Sequence, residues 1–307
     1  MIEANIQAQK LVGVEVTGAM LKAVCLDAGG NITLTYQSPI FRKEETAPQL
    51  IDFLKDLTGR FGEFEKVGIA VPGLIDRKTK RVAYSKHFPE HEKIDLLGEL
   101  ENTAGQKIIV ENDANAAAYG EFQLGAGRGS RDMFYITLGK GVGGALIFDG
   151  ILWHGTSGFA GEFGQFAINE DGVKLEDVAS AANIVRRTRS RFHQDSTSSL
   201  GNLDEDDIGI VDLVREAQNG DDFARLMLER TGIYVGTAIA GVINLLNIEK
   251  IVVGGLIMQA GHLVLDSIIR RARELSFAPS FETTQILEGA LGENATAVGA
   301  ALLSDNL

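Results

Sequence analysis

Cysteine is nearly missing: Cys25 is the one cysteine in 307 residues. An internal disulfide framework and a zinc site built on several thiolates are thereby excluded, and the chain fits a reducing compartment. Positive charge is short as well. Lys and Arg total 29 against 42 for Asp and Glu, a net charge of -13, and such a field repels phosphate backbones and anionic lipid. Nucleic acid and membrane surfaces are therefore poor partners. No run approaches the roughly 20 uninterrupted apolar residues that a membrane span needs, and residues 1–10 hold no apolar segment of the kind a secretion signal carries. The expected location is cytoplasmic.

Hydrophobic residues make up 45% and charged residues 23%, enough apolar side chain to build a packed core and too much for a disordered chain. The length suits two domains of roughly 100 to 200 residues. Glycine stands out, at 36 residues, and much of the excess falls at the ends of apolar runs, where backbone bends sharply or approaches a ligand.

Periodicity predicts strands over 11–16, 21–27 and 31–37, the last with Ile32, Leu34 and Tyr36 alternating with polar residues. A helix follows, with Thr46 as N-cap, Pro48 in the first turn, Leu50, Phe53, Leu54 and Leu57 on one face, and Gly59 as its stop. Then come a strand over 67–71 ending in Pro72-Gly73, a helix over 95–104, a strand over 107–111 and a helix over 114–124. From Met133 the order starts again: strands over 133–138, 145–148 and 151–154, helices over 175–189 and 223–246, a strand over 250–253 ending in Gly254-Gly255, and helices over 262–275 and 295–302. Residues 193–207, rich in Ser, Asp, Gly and Asn, read as a mobile loop or insertion. The duplicated βββαβα plan predicts an α/β protein of two similar lobes with the site between them. The expected division is 1–112 for a small lobe, completed by the C-terminal helix in 295–307, and 113–294 for a large one.

Three segments carry possible chemistry. In 138–145 four glycines, Gly139, Gly141, Gly143 and Gly144, follow a buried strand, so that several backbone N–H groups can converge on phosphate oxygens with Lys140 adding a point charge. The same residues also suit an ordinary glycine-rich hairpin. Glu111-Asn112-Asp113-Ala114-Asn115 places polar side chains where a buried strand gives way to a helix, beyond the carboxyl end of the strand where ligands of open α/β sheets bind. Asp113 is placed there to accept a proton from a substrate hydroxyl; Asn112 or Asp113 equally suits a helix N-cap. Gly161-Glu162-Phe163-Gly164-Gln165, followed by Glu176 at a helix start, offers acids and an amide for sugar hydroxyls. Glu176 also suits a first-turn carboxylate favoured by the helix dipole. Gly254-Gly255 either admits a flat nucleobase against backbone or is simply a turn.

Taken in order, Pro72-Gly73, the run from Glu111 to Ala118, the Gly139–Gly144 turn, Gly161-Glu162-Phe163-Gly164, the run from Leu175 to Ser180 and Val252-Val253-Gly254-Gly255 resemble the ROK family of sugar kinases and sugar-responsive repressors, over nearly the whole chain. The resemblance implies the two-lobed actin-like ATPase (ribonuclease H-like) fold, a sugar bound in the interlobe cleft and phosphoryl transfer from ATP with Mg²⁺. It implies Asp113 as general base, Gly73, Asn112, Glu162, Gln165 and Glu176 around the sugar, and Thr17, Gly18, Gly139, Lys140, Gly141 and Gly143 near the phosphates. Gly254 and Gly255 fall beside the adenosine, Glu15 near the Mg²⁺, and a homodimer is the expected assembly.

Three departures from the family pattern matter. Where family kinases open with Asp-x-Gly-Gly-Thr-Lys, this chain has Glu15-Val16-Thr17-Gly18-Ala19-Met20, which weakens the first phosphate contact. The Thr usual in the second phosphate turn is Lys140, which would restore the charge lost at Met20. The family's zinc-binding His is replaced by Gln165 and its Cys-rich loop is shortened away, so no structural zinc is expected. The leading expectation is an ATP-dependent, glucokinase-type hexose kinase. The alternative is a non-catalytic sugar sensor without a DNA-binding domain, since only about ten residues precede the first hairpin, too few for a winged helix-turn-helix.

Overall fold

The computed structural model describes residues 10–41, 46–86, 88–195 and 197–306; the polar N-terminal stretch up to residue 9 lies outside them. Two compact units emerge: 1–125 with 152–160 and 294–307, and 126–151 with 161–293.

The first unit opens with strands β1 (Leu11–Val16), β2 (Met20–Leu26) and β3 (Ile32–Pro39), followed by helix α1 (Thr46–Phe61), strand β4 (Lys66–Val71), a small hairpin of β5 (Leu74–Ile75) and β6 (Val82–Tyr84), helix α2 (Leu96–Ala104), strand β7 (Lys107–Asn112) and helix α3 (Asp113–Leu124). The sheet order is β3-β2-β1-β4-β7. The first three strands are antiparallel, and β4 and β7 lie parallel to β1. Alternation on β1 sends Val12, Val14 and Val16 into a core completed by Leu50, Phe53, Leu54 and Leu57 of α1. That helix runs past Gly59, which meets no obstacle, and stops before Gly62, whose φ of 75° suits glycine.

The opposite sheet face is shaped by small residues. A Cβ at Gly13 would collide with Ala297 O, and one at Gly68 with Ala300 O, so the C-terminal helix α10 (Ala295–Ser304) lies close on the strands. Gly120 of α3 meets Ala295 O and Gly299 in the same way. This packing draws α3 into the first unit, so that the unit runs to 125 where the sequence pattern suggested 112.

In the second unit, β8 (Met133–Leu138) and β9 (Val142–Phe148) form a hairpin, and β10 (Ile151–Trp153) carries the chain back to the first unit. Helices α4 (Glu176–Ala179), α5 (Ala181–Arg189), α6 (Ile210–Gln218) and α7 (Asp222–Leu246) precede β11 (Lys250–Gly254), α8 (His262–Leu275), α9 (Ala278–Glu282) and β12 (Gln285–Glu288). β8 pairs antiparallel with β9 and parallel with β11, which pairs parallel with β12, repeating the first unit's β2-β1-β4-β7 arrangement.

Two expectations change here. The helix foreseen over 175–189 breaks at Ser180, because Ala181 N–H bonds Gly139 O at 2.8 Å instead of continuing the helix ladder. The described residues between 197 and 207 are not a free loop: Leu200 is fully buried and the Asp221 carboxylate accepts from Ser198 Oγ and Ser199 N at 2.9 and 2.6 Å. Helix α7, expected over 223–246, is 25 residues long and apolar enough to cross a membrane by length and composition, although interrupted by polar residues; 61% of its apolar window is buried within the protein. Gly232 and Gly236 on its flank let α8 approach until only their hydrogens separate the two backbones.

Candidate active site

In the first unit, β4 and β7 end side by side with Val71 opposite Asn112, and the polar residues lie just past those ends. Pro72-Gly73 turns the chain after β4 and is held by Ser85, whose Oγ donates to Pro72 O at 2.5 Å. Asn112 caps α3: its Oδ1 accepts from Ala114 N and Asn115 N at 2.9 and 3.1 Å. Its Nδ2 donates to Gly73 O at 2.9 Å and to Asp113 Oδ1 at 3.1 Å. An amide has two donor hydrogens and two acceptor lone pairs, so Asn112 is fully committed within the protein. The capping role is realised, and it aims Asp113. Oδ1 of that half-buried carboxylate takes Asn112 Nδ2 and Ala114 N.

Behind Asp113 lies a residue the sequence did not single out. His154 Nε2 meets Glu111 Oε2 at 2.8 Å, and the two side chains are 19% and 12% exposed. Glu111 Oε1 accepts from Asn112 N and from Asn115 Nδ2 at 2.8 and 2.9 Å. Burial pushes the Glu111 carboxyl up, but the bond and attraction to His154 and the two amide donors outweigh it and hold it below the usual carboxylate range. A single histidine before a glycine carries no local signal; only its partner 43 residues away gives it meaning.

The first hairpin turn is reinforced by its own threonine. Thr17 Oγ1 accepts from Met20 N at 2.9 Å and donates to Met20 O at 3.0 Å, beside half-buried Gly18. Glu15 stands on β1 directly opposite Lys22 of β2.

In the second unit, the parallel strands β8 and β11 also end together, with Gly254 opposite Thr137. The turn proper is Gly139-Lys140-Gly141, with Gly139 N–H bonded to Gly141 O at 3.0 Å. Gly143 and Gly144 belong to β9, opposite Thr137 and Ile136; Gly144 is required because a Cβ would press on Gly161 O and the Phe134 ring. At Gly139, by contrast, φ is not positive and a Cβ would meet nothing within 4 Å. Neither strain nor packing demands glycine there. Lys140 is exposed and makes no hydrogen bond or ion pair with the described residues. Gly255 adopts φ 95° against Leu138, so the Gly254-Gly255 turn abuts the Gly139 turn.

Glu176 reaches the same turn. Its Oε2 accepts from Val142 N at 3.2 Å, and a Cβ at Gly141 would sit 2.9 Å from it. Crowding by protein atoms and the Glu176 charge push the Glu162 carboxyl up. Gln165 Oε1 accepts from Lys174 Nζ at 2.7 Å. The short segment between them folds as a hairpin, with Ile168 N bonded to Val173 O at 2.9 Å, Leu175 N to Phe166 O at 2.9 Å, and Gly172 at φ 74° in the turn. This compact hairpin stands where the family pattern has its Cys-rich loop. Among the described residues, no group of three or more His, Cys, Asp or Glu is placed to hold a metal.

The ROK family model matches residues 11–306. A glucokinase of Halalkalibacterium halodurans is 31% identical across 95% of this chain and 94% of its own length. The xylose repressor of Bacillus subtilis is 25% identical across 97% of this chain and 78% of its own length. Among solved structures, a ROK family glucokinase from Streptomyces griseus in complex with glucose and AMPPNP superposes with a TM-score of 0.83 at 29% identity, covering 97% of this chain and 100% of that one.

Proposed function

The chain belongs to the ROK family and has the actin-like ATPase fold of ROK sugar kinases; on that footing we propose that it is an ATP-dependent hexose kinase of the glucokinase type. The observation that carries the reading is Asp113. It is a half-buried carboxylate at the start of α3, beyond the ends of two parallel strands, with Oδ1 fixed by Asn112 Nδ2 and Ala114 N. A sugar hydroxyl needs positioning and a modest base rather than a strong one, and a carboxylate held by a cap supplies both.

In this reading Asp113 takes the proton from the acceptor hydroxyl as its oxygen bonds the γ-phosphorus of ATP and the bond from that phosphorus to the β–γ bridging oxygen breaks, with ADP leaving. Glu162 and Glu176 accept hydrogen bonds from other sugar hydroxyls, with Gln165 beside them. Asn112, its bonding capacity already filled, acts through Asp113 and Gly73 rather than on the sugar. The backbone of Gly139 and Gly141, the Lys140 ammonium and the Gly254-Gly255 turn would hold the nucleotide. The room on the Cα of Gly139 fits that role, because a side chain there would stand where backbone must close on a phosphate. ATP, when bound, would supply the phosphoryl group, and its Mg²⁺ would neutralise charge on the triphosphate. Mg²⁺ carried on a triphosphate needs only one or two protein carboxylates, and Glu15 is the candidate. Gly143, paired in the ladder, and the Thr17 hydroxyl, committed to its own turn, contribute less than their sequence positions suggested.

A second reading, a sugar sensor that does not transfer phosphate, draws on the altered first hairpin and on the repressors among the relatives. A coupled MgATP assay over glucose, mannose, fructose, N-acetylglucosamine and N-acetylmannosamine separates the two. Asp113→Asn keeps the cap's hydrogen bonds but cannot take a proton, so turnover is expected to fall by about 10² to 10⁴ with sugar affinity within several-fold. Retention of more than half the activity would reduce Asp113 to a capping residue. Wild type without turnover, yet protected by sugar against thermal unfolding, would install the sensor.

A further inference from the structure

His154 takes no part in the mechanism above, yet the end of β7, directly before Asp113, leans on it. A buried carboxylate is stable only when its oxygens are bonded. Glu111 meets that condition with three donors: Asn112 N and Asn115 Nδ2 on Oε1, and His154 Nε2 on Oε2. With Glu111 ionised, the 2.8 Å bond requires the ring proton on Nε2. The two donors on Oε1 flank Asp113, one the backbone N–H of the residue before it and the other the side-chain amide of Asn115 in the first turn after it. The Asn112 side chain then grips Asp113 Oδ1 directly. A continuous chain of bonds thus runs from the imidazole to the proposed base.

The backbone segment that carries the imidazole is anchored within the first unit, while the ring is held through Nε2 and its buried Nδ1 meets no partner among the described residues. His154 O accepts from Ala160 N at 3.1 Å, and Ser157 O accepts from Arg77 N at 3.2 Å. Gly158, at φ 104°, lies so close to Ile75 O that a Cβ would collide. Residues 152–160 therefore present His154 from a fixed segment, and that segment continues directly into Gly161 and Glu162 of the sugar-recognition motif.

We propose that His154 is a positioning residue: through Glu111 it sets the strand end and first helical turn that aim Asp113, and it fastens the segment leading to Glu162 to the strand that leads into the base. The inference rests on the reading of Asp113 as general base. If the pair served only to satisfy its own burial, its loss would change stability and leave the balance of kcat and KM untouched.

The test compares wild type, His154→Ala, His154→Gln and Glu111→Gln in steady-state turnover of the preferred hexose with MgATP, together with amide hydrogen exchange at Asn112. A misaimed base costs up to about 100-fold when the displacement nears an ångström. His154→Ala is therefore expected to lower kcat by about 10- to 100-fold with the sugar KM within about 3-fold. His154→Gln, whose amide can still donate to Glu111, should recover to within about 5-fold of wild type. Exchange at Asn112 should quicken in His154→Ala and Glu111→Gln and return toward wild type in His154→Gln. An unchanged kcat, a raised KM at constant kcat, or a glutamine variant no better than alanine would overturn the proposal. If wild type phosphorylates no hexose, the kinase reading fails by itself, and the exchange measurement still decides the link: Asn112 amides indifferent to His154 would sink it.

Discussion

In the first unit the turn between β1 and β2 is closed by backbone, Thr17 N–H to Met20 O at 2.8 Å, and reinforced by a side chain of its own. Thr17 Oγ1 takes the N–H groups of Ala19 and Met20 and gives its hydrogen to Met20 O. The equivalent turn of the second unit, between β8 and β9, is likewise closed by backbone, Gly139 N–H to Gly141 O, but its side-chain support comes from outside the turn, a carboxylate from α4 that takes Val142 N. The two hairpins occupy corresponding places in a repeated plan and keep different resources in hand. The first commits its hydroxyl to itself and carries Ala19 and Met20 beyond it. The second keeps an exposed ammonium, Lys140, on glycines that crowd nothing at 139. Substitution of the usual family residues at 17, 19 and 20 thus makes a self-contained turn of one hairpin and leaves the phosphate chemistry proposed above to the other.

The sharpest way to break this comparison is Lys140→Thr, which restores the usual family residue. If Lys140 supplies the charge that Met20 lacks, turnover with MgATP should drop by roughly 30- to 1000-fold, since an electrostatic stabiliser of a transferring phosphoryl group is worth about 2 to 4 kcal/mol. Unchanged or faster turnover would mean that the lysine merely points to solvent, and the two hairpins would differ in form without differing in use.

Gly139→Ala probes the same turn by shape. Backbone strain and packing both tolerate alanine there, so the melting temperature should hold or rise slightly through loss of unfolded-state freedom. If phosphates close on this backbone, the KM for ATP should nevertheless rise about 10-fold, the equivalent of 1.4 kcal/mol. A KM for ATP equal to that of wild type would remove Gly139 from the nucleotide site.

Much of this is legible in the amino-acid sequence alone. Alternation and glycine punctuation located the hairpins and the parallel strands, because strand faces and turns leave local marks. What stayed hidden depends on partners distant in sequence. Ser180 breaks a helix because Ala181 N–H reaches Gly139 O; α3 joins the first unit because Gly120 meets Gly299. The strand β12 shows only four residues with Ile286 alone buried, too short for a period to register, and α6 starts from a glycine with no side-chain cap. At the site, Asp113 was legible from its motif and Asn112 from the preference of Asx for caps. His154 was not, since its role rests on Glu111 across the fold.

The smallest effect tests the first hairpin. Thr17→Ala removes one hydroxyl that accepts two backbone N–H groups and donates to one carbonyl. Thr17 is half-buried and its turn borders solvent at Ala19, so water replaces part of what is lost, and a net cost of about 1 kcal/mol is expected. That should appear as a lowered midpoint in urea with an unchanged slope, because the surface exposed on unfolding is the same. ATP dependence should stay within about 2-fold of wild type, a shift of under about 0.5 kcal/mol, because a hydroxyl already bonded three ways within its own turn has little left for a phosphate oxygen. The opposite pattern, full stability with a KM for ATP raised several-fold, would show that Thr17 leaves its turn when nucleotide binds. The first hairpin would then rank beside the second as a phosphate contact, and the contrast drawn between them would fall.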